Sequence, residues 1–365
     1  MSLIKVKSRG TDNVAGRKNL IINGAMRVAQ RGTSTTSVAA SGYFATDRMK
    51  YYDSAQVVAT VEQVSDAPSG SGFSFSHKVT ATTADSSLGA TELSCPLWYI
   101  VEKQDVDARL AYGTSSAKPI TMSFWIKSNV TGTYTISAYR SATPARVQAQ
   151  TYTISSANTW EFKTLTFLGD TAEAIDVDLH FYFNGLVGGN YDNTSTTSGW
   201  ATYSTGNWAG GHTATWGDTT NDTWQMTGLQ LEVGSEASDF EHLSIGEELS
   251  LCKRYYEEIS PANSTYYGVG SVSSGGSSPT VIGQVSWDLQ KRDTPSVSYS
   301  GTPGSHFGVT RAGSSNAGMG TITFGNINLR NCYIQSTSSP SAMTTGYATV
   351  LNITGSGKIM ISAEL

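Results

Sequence analysis

Apolar and polar residues alternate with a period of two in one segment after another between residues 42 and 245. The clearest segments are Ala55–Val64, Thr121–Ser128, Thr133–Tyr139, Glu161–Leu168, Ala174–Phe183 and Trp224–Val233. Such alternation predicts half-buried strands, because successive side chains of a strand point to opposite faces. Glycine, serine and threonine separate the segments, as they do in antiparallel sandwiches. The sequence therefore predicts an all-β chain whose main domain, residues 19–245, is an antiparallel β-sandwich of jelly-roll type.

One segment has helical rather than strand periodicity, and it is the only convincing helix in the sequence. Residues 244–259 begin with Ser244 and Glu247, which have the spacing of a capping box. An apolar face spaced by three and four residues follows: Leu249, Cys252, Tyr256 and Ile259. We expect a helix over 246–259 that links the sandwich to a second, smaller C-terminal β-sandwich domain, residues 260–365, where strand-like segments return.

The first eighteen residues lack a hydrophobic period and are basic. They carry five cationic side chains: Lys5, Lys7, Arg9, Arg17 and Lys18. Residues 161–250, in contrast, carry fourteen carboxylates and a single lysine. We predict an extended arm, residues 1–18, that docks on another protein or on the acidic body of a like subunit. Nucleic acid is not the expected partner, because the basic residues come singly or in pairs and the acidic body would repel phosphate.

The reactive side chains lack the spacing of catalytic or metal centres. Cys95, Cys252 and Cys332 form no CxxC pair, which favours buried thiols in a protein made in a reducing cytosol. The histidines form no HxH or HExxH pair, and no nucleophile elbow or P-loop is present. Neither a signal-peptide core nor a run of about 18 apolar residues occurs. We expect neither enzymatic activity nor a resident cofactor nor membrane insertion.

A long segment rich in glycine, threonine and serine, residues 185–221, concentrates aromatic and acidic side chains. Aromatic rings stack on sugar rings and carboxylates accept hydrogen bonds from hydroxyl groups, which makes this loop a candidate carbohydrate-binding site. Its candidate residues are Tyr191, Trp200, Tyr203, Trp208, Trp216, Asp192 and Asp218. Two alternatives stay open. The aromatic residues pack the loop onto the sandwich or a neighbouring subunit, or the acidic residues hold Ca²⁺, although no EF-hand spacing is present.

Two pairs of charged residues allow a functional and a structural interpretation. Glu232 and Glu241 would serve glycoside hydrolysis if their carboxyl groups flanked a cleft about 5–10 Å wide, a distance that sequence does not give. Asp47 and Arg48 form either a receptor contact or a buried ion pair that fixes strand register, and we favour the buried pair.

Two segments resemble the signatures of a family of tailed-bacteriophage virion proteins. The first is Asn19–Gly32 (NLIINGAMRVAQRG), which is followed by Gly42–Lys50 (GYFATDRMK). The second is Trp224–Tyr256 (WQMTGLQLEVGSEASDFEHLSIGEELSLCKRYY). They occur in the family's order. Residues 2–13 (SLIKVKSRGTDN) are similar to tail-fibre leaders that attach to the virion, and residues 260–365 resemble variable distal domains more weakly.

The resemblance implies a tail fibre or receptor-binding protein with a carbohydrate-binding-like jelly roll, assembled as a homotrimer. Such a chain is a non-enzymatic structural protein of the phage virion that mediates host attachment by binding cell-surface polysaccharide. Its arm would contact tail-tube, adaptor or capsid proteins. It would be made in the bacterial host cytoplasm and lie on the particle surface, at the tail. The alternatives are a capsid (head) fibre or decoration protein, a tail adaptor without receptor binding and, less favoured, a polysaccharide depolymerase.

Overall fold

A computed structural model describes residues 17–262, 266–275, 278–310, 317–336, 346 and 348–365. Three of the five arm cations, Lys5, Lys7 and Arg9, lie outside these residues. The chain divides into two compact units at the boundary between Leu243 and Ser244. Nearly all regular structure in the described residues is β and pairs in antiparallel sheets, which confirms the predicted all-β class.

The first unit is built from short strands. Between residues 17 and 243 they are, in chain order, β1 (Ser34–Val38), β2 (Gly42–Tyr43), β3 (Lys50–Asp53), β4 (Val58–Val64), β5 (Ser76–Thr83), β6 (Leu93–Val101), β7 (Ile120–Ser128), β8 (Gly132–Arg140), β9 (Arg146–Ile154), β10 (Glu161–Phe167), β11 (Leu179–Asn184), β12 (Leu186–Val187), β13 (Ala201–Thr202) and β14 (Thr223–Val233). A helix, α1 (Lys103–Leu110), follows β6, and a 3-10 turn covers Thr205–Asn207.

These strands form two antiparallel sheets. In the described residues, the six-stranded sheet has the order β1-β4-β5-β14-β7-β10, and the eight-stranded sheet has the order β13-β9-β8-β11-β6-β3-β2 with β12 beside β6. Phe124 of β7 and Phe183 of β11 meet edge to face across the interior, with ring centroids 5.8 Å apart. The two sheets therefore enclose one core, and the unit is a β-sandwich.

The second unit has the same kind of layering. Its elements in the described residues are α2 (Ile245–Lys253), β15 (Tyr256–Ile259), β16 (Tyr266–Gly275), β17 (Ser278–Ser286), β18 (Ser296–Ser300), β19 (Phe307–Thr310), β20 (Ala317–Gly318), β21 (Ile322–Gly325), β22 (Asn331–Ser336), β23 (Ala348–Ile353) and β24 (Lys358–Ser362). A three-stranded sheet, β15-β24-β18, and a seven-stranded sheet, β20-β19-β23-β16-β17-β22-β21, share a second apolar core.

The helix after Ser244 is shorter than predicted. The capping box forms, because Ser244 Oγ accepts the N–H of Glu247 at 3.3 Å and Glu247 Oε2 accepts the N–H of Ser244 at 3.0 Å. However, the helix ends at Lys253, and residues 256–259 form β15. These residues pair with β24 and bury Ile259 in the second core, which decides their conformation, since Tyr256 and Ile259 fit either period. The prediction of a helix over 246–259 was wrong for its second half.

Two further details differ from the sequence analysis. Helix α1 was not expected; it buries Val106 and Leu110, which are four residues apart on one face. The segment Ala174–Phe183 is a strand only from Leu179. Before it, the Asp178 carboxylate accepts the N–H of Lys103 at 2.8 Å and Asp176 pairs with Arg140, so these side chains hold an irregular turn.

Candidate functional site

The first segment that resembles a virion signature lies beside the strand that begins the second one, β14, in the first unit. The N–H of Leu20 donates to the carbonyl of Leu231 at 2.8 Å, and that of Leu229 donates to Gly24 at 2.9 Å. Asn19 Oδ1 accepts the N–H of Leu231 at 3.0 Å, although 212 residues separate the two. Residues 19–24 thus run along β14, and the resemblance falls on residues that close the sandwich.

The carboxylates considered for hydrolysis are held in structural hydrogen bonds. Glu241 accepts the backbone N–H groups of Lys18 at 3.2 Å and Asn19 at 2.7 Å. Glu232 accepts the N–H of Ser238 at 2.8 Å and its hydroxyl at 2.6 Å. Each carboxylate therefore fixes a backbone segment, which favours the structural interpretation of this pair.

The two described arm cations are engaged within their own unit. The Lys18 ammonium donates to Ser238 Oγ at 2.7 Å and to the carbonyl of Asp239. The Arg17 guanidinium donates to the carbonyl of Leu20 at 3.4 Å. These contacts tie both side chains to the first unit.

Asp47 and Arg48 are both buried. Asp47 Oδ1 accepts the N–H of Gln30 at 2.9 Å, and Arg48 donates to the carbonyl of Ile100 at 3.0 Å. The Arg48 guanidinium also lies 5.6 Å from the ring centroid of Tyr99. Both side chains therefore stabilise the interior of the sandwich, and neither is available to a receptor.

The predicted binding loop folds onto the outer face of the eight-stranded sheet. On that face Trp98 of β6 pairs with Tyr182 of β11, and their rings stack with centroids 4.7 Å apart. Trp208 from the loop meets Tyr182 edge to face at 4.8 Å. We call this surface the covered face; its aromatic residues are Tyr52, Trp98, Tyr139, His180, Tyr182, Tyr191, Tyr203 and Trp208.

Residues of the covered face supply hydrogen-bond partners and ring contacts to the aromatic side chains of the loop. Trp208 is 6% exposed, and its Nε1 donates to Asn184 Oδ1 at 3.0 Å. Tyr139 meets both Tyr203 and Trp208 edge to face, each at 5.3 Å between centroids. The Tyr191 hydroxyl donates to the carbonyl of Thr91 at 3.2 Å. The loop aromatics form a seam between loop and sheet, as the packing alternative expected.

Two tryptophans of the predicted site lie elsewhere. Trp216 is fully buried in the main core, which corrects its assignment as a sugar contact, since a ring without exposed surface cannot stack on a ligand. Trp200 packs edge to face against Tyr112 at 5.9 Å, and its Nε1 donates to the carbonyl of Leu168 at 2.6 Å. The sequence cluster is therefore not one spatial cluster.

The acidic residues of the loop mainly serve its own turns. The Asp222 carboxylate accepts the N–H groups of Gly217 at 3.0 Å and Thr219 at 3.2 Å. Thr219 Oγ1 donates to Asp218 at 2.9 Å, and Asp192 is partly exposed. Across the part of the chain that the structure describes, no three His, Cys, Asp or Glu side chains meet in a potential metal site. The calcium alternative gains no support there.

On the covered face, Lys50 lies over the ring of Trp98, which the loop leaves open. Its ammonium lies 3.7 Å from the ring centroid of Trp98 and 5.3 Å from that of Tyr43, a cation–π arrangement. Trp98 Nε1 donates to His180 Nδ1 at 3.2 Å. Burial, assisted by the charge of Lys50, lowers the pKa of His180 to about 4, so this ring is neutral at pH 7 and accepts the hydrogen bond.

The outer face of the six-stranded sheet carries an open groove instead. Trp125 of β7 and Phe162 of β10 are directly paired across the strands, with ring centroids 5.3 Å apart, and Phe162 is 51% exposed. Phe73 and Phe240, edge to face at 4.8 Å, form another part of the wall. The space that these rings line has a volume of about 310 Å³, and we call it the groove.

Hydrogen-bonding groups accompany the aromatic rings. The polar side chains that line the groove are Ser71, Ser123, Ser238 and Asp239. Two residues beyond Trp125, on the same face of β7, the Lys127 ammonium lies 5.1 Å from the Trp160 ring centroid and donates to Asp66. Burial opposes the charge of Asp66, but hydrogen bonds from Lys127 and Gln225 outweigh it and lower the pKa of its carboxyl group.

Gly228 shapes the groove. The pairing of β14 with β7 shifts register between Thr227 and Gln230, and Gly228 within this irregularity has φ +63°. A Cβ at this position would lie 2.6 Å from the ring of Phe73. Glycine is required here for the left-handed backbone and for the close approach of the ring.

The groove was not predicted from the sequence, although β7 contains one signal for it. In β7, alternation places Met122, Phe124 and Ile126 in the core and therefore puts Trp125 on the solvent side. A large aromatic residue at a solvent-facing position of an amphipathic strand indicates a surface that binds another molecule. That Phe162 lies beside it depends on the register of β10, which the sequence does not give.

Other expectations concern chemistry away from these faces. Cys95, Cys252 and Cys332 are buried free thiols, as predicted. No helix within the described ranges has the length and apolar character needed to cross a bilayer.

Comparisons with known proteins give matches in fold alone. No protein-family model matches the chain, and no curated protein matches it. Part of a tailspike protein of bacteriophage CBA120 is similar at 14% identity and TM-score 0.34, over 59% of this chain and 21% of that one. This chain thus spans about a fifth of that tailspike domain's length.

Two further solved structures are similar. A putative sugar-binding protein from Bacteroides thetaiotaomicron matches at 9% identity and TM-score 0.33, over 59% of this chain and all of that one. A CBM22 tandem domain from Paenibacillus barcinonensis matches at 9% identity and TM-score 0.29, over 96% of this chain and 99% of that one. All three TM-scores lie below 0.5.

Proposed function

We propose that this chain is a non-enzymatic structural protein of a phage virion, a trimeric tail fibre that attaches the particle to its host by binding cell-surface glycan. The groove of the first unit is the sugar-binding site. The second candidate is a capsid fibre, decoration protein or tail adaptor without a receptor of its own, which the resemblance to virion signatures favours equally.

The observation that carries glycan binding is the direct pairing of the half-buried Trp125 with the exposed Phe162 in a groove edged with hydroxyl groups. Sugar rings have an apolar C–H face that packs on aromatic rings, and their hydroxyls need hydrogen-bond partners when water leaves. The groove offers both at once, with Ser123 and Asp239 beside the rings. On the covered face, the equivalent ring surfaces already contact Lys50 and the loop.

The size of the groove suits a short stretch of glycan. Its volume of about 310 Å³ is at the lower end of the range of about 300–1,000 Å³ for ligand pockets. One such site binds weakly. Three copies on a trimer gain strength because the second and third contacts are intramolecular, which is how a fibre would hold a repetitive polysaccharide.

Binding without cleavage fits the chemistry of the groove. Among the described residues that line it, Asp239 carries the only carboxylate. Glycoside hydrolysis ordinarily needs two carboxyl groups that flank the scissile bond. Glu232 and Glu241 do not supply the pair, because each is held by backbone N–H groups. A depolymerase is therefore the less supported alternative.

The first experiment compares the full chain with Trp125→Ala and Phe162→Ala on a panel of bacterial surface polysaccharides and oligosaccharides. Each variant should bind at least about thirtyfold more weakly, the loss of about 2 kcal/mol typical of a central aromatic contact. Leu168→Ala, which removes another exposed apolar side chain, should bind normally. Equal binding by all variants would contradict the groove, and no binding by the native chain would contradict glycan recognition.

Location on the particle separates the two candidates. Gold-labelled antibody against this chain should decorate the tail periphery of intact particles if the chain is a tail fibre. Label over the head would assign it to the capsid instead. A chain that lacks residues 1–16 keeps the Lys18 contacts of the first unit and should fold, yet it should be absent from particles. Normal incorporation would overturn the role of the arm.

A further inference from the structure

The seven-stranded sheet of the second unit is built without charged residues. None of its strands, as the structure describes them, contains Asp, Glu, Lys, Arg or His; they read YYGVGSVSSG, SPTVIGQVS, FGVT, AG, ITFG, NCYIQS and ATVLNI. The three-stranded sheet of the same unit carries Glu257, Glu258 and Lys358. Sheet faces that contact water are normally polar, and charged residues are mostly found at such exposed positions.

One face of this sheet packs on the second core, and the other face carries exposed apolar side chains. Val281, Phe307 and Leu351 point into the second core and are fully or almost fully buried. On the opposite face Val269 is 69% exposed and Ile282 is 41% exposed. The contrast follows from the strand period, because successive side chains point to opposite faces.

The exposed apolar side chains are neighbours. Val269 of β16 pairs directly with Val350 of β23, which is 38% exposed, and with Gln284 of β17. Ile282 lies two residues from Gln284 on the same face, and so diagonally beside Val269. Tyr266, at the start of β16, is 62% exposed. These exposed side chains surround Gln284 and form a largely apolar, uncharged patch, which marks an interaction surface.

We propose that this face packs against the same face of further copies of the chain and forms the contact near the symmetry axis of a homo-oligomer. In a closed assembly, a residue near the axis faces its own copies, so any charge there would meet a like charge. A complete absence of charge across the sheet is what such packing needs. A partner steered by charge would require complementary charges, which these strands do not supply.

The proposal identifies the interface of the oligomer in the proposed function, but it does not depend on the groove. Charge reversal between copies tests it. In the full chain, Val269→Lys places a cation on the exposed face, and Val269→Glu places an anion there. Ser298→Lys is the matched control, because Ser298 is an exposed strand residue of the three-stranded sheet.

Sedimentation equilibrium should give a multiple of 38.8 kDa for the native chain and for Ser298→Lys. Each Val269 variant alone should dissociate at least about tenfold more readily, because like charges oppose each other across the contact. An equimolar mixture of the Lys and Glu variants should reassociate. A monomeric native chain, unchanged association of the variants, or a mixture that stays dissociated would each overturn the proposal.

Glycan-binding assays on the same variants distinguish a failure of the interface proposal from a failure of the groove proposal. A dissociated Val269→Lys chain should bind a soluble oligosaccharide as the native chain does and lose only its multivalent grip on immobilised polysaccharide. Trp125→Ala should do the opposite and keep the native mass. Circular dichroism of Val269→Lys should match that of the native chain, since the side chain is largely in solvent.

Discussion

The two outer faces of the first sandwich both carry aromatic residues, but they use them differently. On the covered face, Trp98 is stacked on Tyr182 and capped by Lys50, while Trp208 is sealed beneath the loop. In the groove, the half-buried Trp125 and the exposed Phe162 are paired with each other, and the loop does not cover them. The number of aromatic residues in a segment therefore says little about binding. What matters is whether the protein itself already contacts the ring faces.

Removal of Trp208 should have the largest effect on stability. Trp208→Ala empties a buried ring site and leaves Asn184 Oδ1 with only the weak thiol donor of Cys95. The free energy of unfolding should fall by about 3–5 kcal/mol, as for other buried tryptophans. Urea unfolding of the full chain measures this loss. Below the transition, the variant should bind glycan normally; a variant with normal stability but lost binding would return the site to the covered face.

A pH dependence should come in part from His180, on the covered face. Burial lowers its folded pKa to about 4 from 6.5, so the unfolded state takes up the proton first as pH falls. Its contribution is fully present above pH 6.5 and is lost between pH 6.5 and 4, up to about 3 kcal/mol. His180→Asn should flatten the slope of unfolding free energy against pH in this window. Burial also lowers the pKa values of His77 and His212 to about 4, so these two histidines should keep part of the slope in the variant. A slope identical to that of the native chain would show that His180 protonates freely in the folded state.

Gly228→Ala should act on the groove. The added methyl group meets the Phe73 ring and strains a left-handed backbone, at a cost of about 1–2 kcal/mol in stability and a marked loss of glycan affinity. Gly211→Ala, on the other side of the sandwich, has φ +90° but an ordinary 3.5 Å contact. It should lose similar backbone stability and keep its affinity. Loss of affinity in both variants would mean that general destabilisation, not groove shape, controls binding.

Lys50→Ala should have the smallest effect and tests why the covered face is closed. Loss of the cation–π contact with Trp98 should cost about 0.5–1 kcal/mol. It should also expose the ring, so acrylamide should quench tryptophan fluorescence more strongly than in the native chain. Lys103→Ala, which removes an exposed ion pair with Asp107, is the control and should not alter quenching. Equal quenching in both would show that the loop alone covers Trp98.

Much of the fold could be predicted because alternation is a local signal. The predicted strand Thr121–Ser128 is β7, Ile120–Ser128, and the predicted strand Trp224–Val233 is β14, Thr223–Val233. Where the local pattern fits both a helix and a strand, the tertiary contacts of the segment decide between them. Tyr256 and Ile259 fit a helix or a strand, and pairing with β24 selects the strand.

The site was harder to predict, for the same reason. Whether Trp208 packs or binds depends on how the loop folds back onto β8 and β11, and the pairing of Trp125 with Phe162 depends on register. The sequence gives the residue types of both surfaces but not their neighbours. Burial of Trp216 follows only from the three-dimensional position of its turn.

The hydrogen bonds from Lys18 and Asn19 to Glu241 have one more consequence. They place the point where the chain enters the first unit next to the point where it leaves. A module with adjacent ends can be spliced into another protein, or exchanged by recombination, without moving the host's flanking segments. Glu241 thus holds the two ends of the sandwich together. The same arrangement would let different C-terminal units follow an unchanged sandwich.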